Sequence, residues 1–345
     1  MSLTAFLQVP ELEARYKKVK KFFFLRESAY DVTSACQLRC DGCYYFAGER
    51  SNVRDNTDPE RWKHFLEGEK QRGINYVNLA GAEPALRPRI LRACHETIAL
   101  GTVFTNGLKK IDPDIRYRIQ VSVWGDATGD PQYRKYANGK QGPYCLPLQL
   151  RNYEHDDRVI FVYTFNSENV GQVDEVLQRV DDAGHKITFN VFSIPEGQQS
   201  VLQLRDTLAV TRDKMLEAME KYPTTVIYSP YNAEVHTQTV SLRGQFGCPY
   251  PRAAREKPFG ISKTFRNYRA DLSYDTDSCC VPHTDCADCR HYAAGSAIVT
   301  SRLDAHTVSE ERFRGWLDYV DTYLAIWILG YEKGQHLYTR SLSAV

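Results

Sequence analysis

Cys36, Cys40 and Cys43 stand in a Cys-x3-Cys-x2-Cys spacing that puts three thiolates on one short stretch of chain. Thiolates are the usual ligands of iron–sulfur clusters, and a 4Fe–4S cubane normally takes four. Three protein thiolates leave one iron open, and an open coordination position is what a catalytic metal centre needs. The bland reading of the same triplet is a zinc ion completed by a distant ligand. A second group, Cys248, Cys279, Cys280, Cys286 and Cys289, takes five more of the ten cysteines. Cys248, Cys280, Cys286 and Cys289 make a full set of four thiolates for one further cluster, or equally for a tetrahedral zinc. Cys279 rivals Cys280 in that set, and His283 or His291 offers a substitute for one thiolate. Cys94 and Cys145 are isolated and read as small core hydrophobes. In a reducing compartment, such clustering speaks for metal rather than disulfides.

The elements that must position these groups alternate. Short β-rich runs at 29–33, 76–80, 103–105, 119–123, 159–165 and 187–192 are separated by amphipathic helical stretches. The helix after the first run is signalled by a Thr57/Glu60 capping box, an early Pro59 and a closing Gly73. Others span 88–98 and 170–183, the latter closed by Gly184. This pattern predicts βαβ units, a parallel sheet and an α/β fold. Six strands make an open, partial (β/α)6 TIM-type barrel, with its site at the carboxyl ends of the strands. The expected organisation is an N-terminal extension over 1–27, the barrel over 28–230, a cysteine-rich region over 231–305 and a terminal helix and tail over 306–345. The terminal helix is expected from 309 to 331 behind a Thr307/Glu310 capping box. Its stripe of Phe313, Trp316, Leu317, Val320, Leu324, Trp327 and Ile328 reads as core packing, with Trp316 and Trp327 a less favoured cover for the site.

Composition narrows the function. A formal net charge of +1 over 345 residues gives no electrostatic case for nucleic acid. No apolar run reaches the length of a membrane span, and the N-terminal residues do not resemble a secretory signal, so a cytoplasmic protein with no membrane partner is expected.

Motif by motif, the chain resembles the radical S-adenosylmethionine (SAM) superfamily over most of 28–195. The cysteine triplet follows the first strand, and Gly81-Ala82-Glu83-Pro84 follows the second, like the Gly-Gly-Glu-Pro segment whose backbone holds the methionyl amino group. Phe104-Thr105-Asn106-Gly107 ends the third strand. Ser122, in Val121-Ser122-Val123-Trp124-Gly125, resembles a serine near SAM. Arg134 matches an arginine that pairs with the SAM carboxylate, and Asn166 a polar residue near the ribose. Taken singly, Ser122, Arg134, Asn106 and Asn166 also read as ordinary strand, surface and turn residues. Gly42 departs from the pattern, standing where many members carry an aromatic residue against adenine; Tyr44 or Tyr45 are the candidate substitutes.

The resemblance implies SAM-binding residues Gly81, Ala82, Glu83, Pro84, Thr105, Ser122, Arg134 and Asn166, and a 4Fe–4S cluster on Cys36, Cys40 and Cys43. It implies reductive cleavage of SAM to a 5′-deoxyadenosyl radical that abstracts a substrate hydrogen, with a flavodoxin or ferredoxin-type electron donor. The second cysteine group resembles the one-cluster twitch form of the SPASM/twitch branch, an auxiliary 4Fe–4S cluster suited to taking an electron in a net oxidation. A spare Cys279 or Cys280 would instead suit an epimerase, as a hydrogen-atom donor. Only about 27 residues precede the first strand, short for a peptide-binding domain. The expected substrate is therefore a small molecule (sugar, aminocyclitol or nucleoside), with a ribosomally made peptide as the alternative. No catalytic side chain is singled out by the sequence.

Overall fold

The computed structural model describes residues 3–204, 206–250, 264–274 and 284–333. Cys279, Cys280 and His283, and with them the choice of ligand between the two adjacent cysteines, lie outside the described residues.

Six parallel strands form where the β-rich runs predict them. In chain order the strands are β1 (Glu27–Asp31), β2 (Leu38–Cys40), β3 (Tyr76–Ala80), β4 (Gly101–Thr105), β5 (Arg118–Val123), β6 (Arg134–Tyr136), β7 (Val159–Phe165), β8 (Ile187–Val191) and β9 (Asn267–Tyr268). The main sheet runs β8-β7-β5-β4-β3-β1-β9, parallel throughout and not closed on itself. Its seventh strand, β9, comes from the cysteine-rich segment and pairs with β1, with Ala29 opposite Asn267. Two residues of strand carry no periodicity, so no sequence pattern announces them. The small β2–β6 pair is antiparallel and sets Cys40 opposite Arg134.

Side chains along each strand alternate between two environments. Tyr30 of β1 packs outward with Trp62 and Leu66 of the helix Pro59–Gln71. Glu27, Ala29 and Asp31 face the lumen on the other side. The helix Pro59–Gln71 is capped by Asp58, whose carboxylate accepts from the Glu60 N–H at 3.0 Å, one residue later than the expected Thr57 box. Pro59 then sits at the first helical position, where its missing N–H leaves nothing unpaired. Gly184, at φ +70°, closes the helix Val173–Asp182 as predicted.

The terminal helix spans Glu310–Trp327 and is capped by Ser309, not Thr307; the Ser309 hydroxyl accepts from the Arg312 N–H at 3.2 Å. Its apolar stripe divides. Phe313, Trp316, Leu317, Val320 and Leu324 join Phe6, Leu12, Tyr16 and Val19 of the N-terminal helices in a second core. Trp316 is therefore core packing, as expected, whereas Trp327 lines the lumen of the barrel. The helix ends against the amino ends of the strands, where barrel side chains take up its last carbonyls. Arg118 donates to the carbonyls of Ala325 (3.2 Å) and Ile328 (3.1 Å), and Tyr76 Oη donates to that of Trp327 (2.7 Å). A guanidinium at a helix C-terminus also opposes the negative end of the dipole. The helix plugs the floor of the barrel.

His236 ties the Pro230–Thr237 helix to this assembly, with Nδ1 at 2.8 Å from the Arg290 carbonyl and Nε2 at 2.9 Å from Tyr319 Oη. Burial holds its pKa down to about 4, against an ordinary 6.5. Below pH 6.5 the unfolded chain binds a proton that the native chain refuses, so this histidine makes stability rise with pH between about 4 and 6.5. The full effect is roughly 3 kcal/mol. Melting midpoints at pH 7 and pH 4.5 should fall further for the wild type than for His236→Gln; equal falls would discount the histidine. Among the described residues no helix is long and apolar enough to cross a membrane.

Candidate functional site

One cavity runs from the carboxyl ends of the strands down to Trp327, and the cysteine triplet sits at its mouth. Cys36, Cys40 and Cys43 all line it. The loop that carries them is pinned at three points. Cys40 pairs with Arg134 through β2–β6, the Asp41 N–H donates to the Tyr133 carbonyl at 2.8 Å, and Gly42 takes φ +72°. A Cβ at Gly42 would also come within 2.7 Å of the Phe192 ring. Glycine is required there on both counts, which explains the absence of an aromatic residue at this position.

Burial pushes the thiols of Cys36 and Cys40 up, to about 11 and about 12, and raises that of Cys43. Thiolates form at such positions only when something positive takes the proton's place. The surroundings are arranged for that. The Leu38 N–H donates to Cys36 Sγ at 3.3 Å, the Asn106 amide donates to the same sulfur at 3.8 Å, and the Arg39 and Arg134 guanidinium groups favour the charged thiolates. The backbone N–H groups of Tyr45 and Phe46 act on Cys43 in the same sense. Three thiolates on one loop, each met by a backbone N–H or a guanidinium group, are a donor set that fits an iron–sulfur cluster.

The Gly81-Ala82-Glu83-Pro84 loop faces the triplet. Gly81 takes φ +110°, and a Cβ on it would meet the Thr33 carbonyl at 2.8 Å. The Ala82 and Glu83 N–H groups donate to the carbonyls of Thr33 and Ala35, at 2.9 and 3.1 Å, so this loop and the approach to Cys36 are one unit. Glu83 is fully buried and does not line the cavity. Its carboxylate accepts from the Ala85 N–H (3.0 Å), Thr105 Oγ1 (2.7 Å) and the Asn106 N–H (2.8 Å), tying the end of β3 to the end of β4. Thr105 also accepts from the Gly107 N–H at 3.0 Å, which makes it part of this brace as well as of the wall.

The SAM-binding residues expected from the sequence separate by position, and three do not reach the cavity. Gly81, Ala82, Thr105, Ser122 and Arg134 line it, while Glu83, Pro84 and Asn166 do not. Asn166 sits in the turn after β7, where its side chain accepts from the Glu168 N–H at 2.9 Å. Arg134 is fully buried, ion-paired to Asp130 at 2.8 Å and bonded to the Ser122 carbonyl. The sequence does not announce the aromatic wall. Trp124 and Phe192, with ring centroids 6.0 Å apart, line the cavity beside the triplet. Phe192 ends a β-rich run and carries no motif, so only the contact with Gly42 reveals it.

Residues of the cysteine-rich segment border the same cavity. Tyr250, Phe265, Thr284 and His291 contribute lining, and a bridge between Pro195 and Thr284 holds the segment against the loop after β8. Burial, and then the nearby Cys286, raises the proton affinity of Cys248; the two cysteines share an apolar cluster, while Cys289 is buried in the second core.

No model of a known protein family matches the chain. It is 28% identical over 92 residues to an S-adenosylmethionine-dependent nucleotide dehydratase of Thermoplasmatales archaeon (strain ISO4-H5), covering 26% of this chain and 31% of that protein. It is 24% identical over 166 residues to the mycofactocin maturase MftC of Mycobacterium ulcerans (strain Agy99), covering 45% of this chain and 44% of that one. Both similarities agree with the resemblance to the radical SAM superfamily that the motifs carry. The chain spans less than half the length of these two curated relatives. Its fold is also that of Streptococcus suis SuiB bound to precursor peptide SuiA, with a TM-score of 0.50 at 13% identity, covering 77% of this chain and 62% of SuiB.

Proposed function

We propose that this chain is a radical SAM peptide maturase: it cleaves SAM reductively and uses the resulting radical to oxidise or rearrange a ribosomally made peptide. The observation that carries the chemistry is the convergence of the Cys36/Cys40/Cys43 loop and the Gly81-Ala82 turn on one cavity, stapled by the Cys40–Arg134 pairing. The preference for a peptide rests on the relatives, a named maturase and a fold neighbour solved with a precursor peptide. It reverses the small-molecule expectation. A sugar, aminocyclitol or nucleoside substrate stays as the second reading, favoured by the similarity to a nucleotide dehydratase.

In this reading Cys36, Cys40 and Cys43 hold the cluster, and the Gly81-Ala82 backbone receives the methionyl end of SAM. When bound and reduced, the cluster supplies the electron that breaks SAM and so the hydrogen-abstracting radical. Ser122 and Arg134 line the SAM side, and the Asp130 ion pair fixes the plane of the guanidinium. Glu83 and Thr105 act as positioning residues, since they brace the loop from behind. Phe192, with Trp124, takes the place of the aromatic residue absent at Gly42 and offers a face for adenine. Cys248, Cys286 and Cys289, with Cys280 or Cys279, hold the auxiliary cluster of the SPASM/twitch branch. A flavodoxin or ferredoxin-type protein supplies the electron.

Anaerobic reconstitution with iron and sulfide, followed by reduction with SAM present, tests the chemistry through formation of 5′-deoxyadenosine. No brown colour and no 5′-deoxyadenosine would sink it. Incubation with a short peptide encoded beside the gene, read by mass spectrometry, tests the substrate class. Base–aromatic stacking is worth about 1–3 kcal/mol. Phe192→Ala should therefore weaken SAM binding to the reconstituted protein by roughly tenfold or more, as read by equilibrium dialysis. Unchanged affinity would remove Phe192 from the adenine site.

A further inference from the structure

The floor of the cavity holds a carboxylate that the chemistry at its mouth does not use. Glu27, the first residue of β1, lines the lumen. It accepts from the Asn78 amide at 2.8 Å, and among the described residues no lysine or arginine forms an ion pair with it. Burial raises its pKa. A carboxylate withdrawn from water is ordinarily compensated by a cation or by several donors. Here a single amide does that work, and the same asparagine, 7% exposed, keeps its Oδ1 without a hydrogen-bond partner among the described residues.

The walls at this level are aromatic. Phe104, Tyr292 and Tyr323 pack around Trp327 with ring centroids 5.4, 5.9 and 5.6 Å from it, and all four line the cavity. Tyr323 is close enough to Glu27 to be affected by its charge. An acceptor pair inside a group of aromatic faces is what a positively charged nitrogen seeks. The carboxylate and amide oxygens take its N–H bonds, and the ring faces stabilise its charge.

We propose that Glu27 and Asn78, walled by Phe104, Tyr292, Tyr323 and Trp327, form a subsite for an aliphatic ammonium group of the substrate. Four steps along the strand separate Glu27 from Asp31 at the mouth, roughly 13 Å at the usual rise. The substrate must then be extended, its charged nitrogen at the floor and its reacting carbon near the cysteine loop. The inference rests on the peptide-maturase reading only in taking this cavity as the substrate site, and it fits an amine-ended side chain of a peptide.

The test uses the full reconstituted chain with SAM bound, titrated with n-butylammonium and with n-butanol as its neutral counterpart. Wild type should bind the ammonium roughly tenfold or more tightly than the alcohol, as charge-assisted hydrogen bonding predicts. Glu27→Gln should abolish that preference while still forming 5′-deoxyadenosine from SAM. Without ligand its melting midpoint should equal or exceed that of the wild type, since a partly buried carboxylate with no ion-pair partner among the described residues has been removed. No preference in wild type, or a preference that survives Glu27→Gln, overturns the proposal. So does a Glu27→Gln chain that melts well below wild type, because the carboxylate would then be serving the fold. Failure of wild type to form 5′-deoxyadenosine overturns the enzymatic reading instead, whatever the amine does.

Discussion

Cys40→Ala is expected to abolish 5′-deoxyadenosine formation and to leave the reconstituted protein without the visible absorbance of its SAM-binding cluster. Cys40 is the thiolate whose position the fold determines most firmly, because it lies opposite Arg134 in a strand pair. Its thiol, pushed up to about 12 by burial, ionises only in exchange for iron. In the proposed assignment Cys36 and Cys43 each hold an iron of their own, so neither replaces it. The loss should therefore exceed the roughly 10–100-fold that changes around a metal ligand cost. Cys286→Ala provides the contrast. It should spare SAM cleavage uncoupled from product and lose the product, because Cys286 belongs to the other cysteine group. Iron content and 5′-deoxyadenosine, measured together on both variants, check the assignment. If Cys40→Ala still cleaves SAM, the triplet is not the cluster site.

What the sequence disclosed follows from how far each signal reaches along the chain. Strands and helices of the barrel are periodic over whole elements, so six of the seven parallel strands were legible. So were the cysteines, because neighbouring ligands on one loop keep a fixed spacing. Residues that matter through contacts across the fold were not. Phe192 closes over Gly42 from 150 residues away, and β9 joins β1 from the far side of the barrel. Glu27 reads as an ordinary charged residue before a strand, and only the pleat of β1 turns it into the lumen. Local signals also misplaced ends. Thr307 and Thr57 suit capping boxes, yet Ser309 and Asp58 cap the helices, since both are equally good acceptors nearer the first turn. Trp327 shows the same limit. A helical stripe identifies a buried face but not which residue at its end reaches a cavity.

Glu83→Ala should be the most damaging change that touches no cofactor. The carboxylate takes three hydrogen bonds in a fully buried position, and burial raises its pKa even against them. Removing it strands the N–H groups of Ala85 and Asn106 and the Thr105 hydroxyl at buried or half-buried positions. Each such group costs about 1–3 kcal/mol, and the three share one neighbourhood, so a total of about 3 kcal/mol or more is expected by denaturant titration. Glu83→Gln should lose less, because its oxygen can still serve Ala85 and Thr105 while its amide opposes the Asn106 N–H. SAM affinity should fall in the same order, although Glu83 does not face the cavity, because its carboxylate braces the Gly81-Ala82 turn from behind. That pairing of stability with affinity separates a positioning role from a contact. A direct ligand to SAM would lose affinity at unchanged stability, and a purely structural residue would lose stability at unchanged affinity. Either result would contradict the brace.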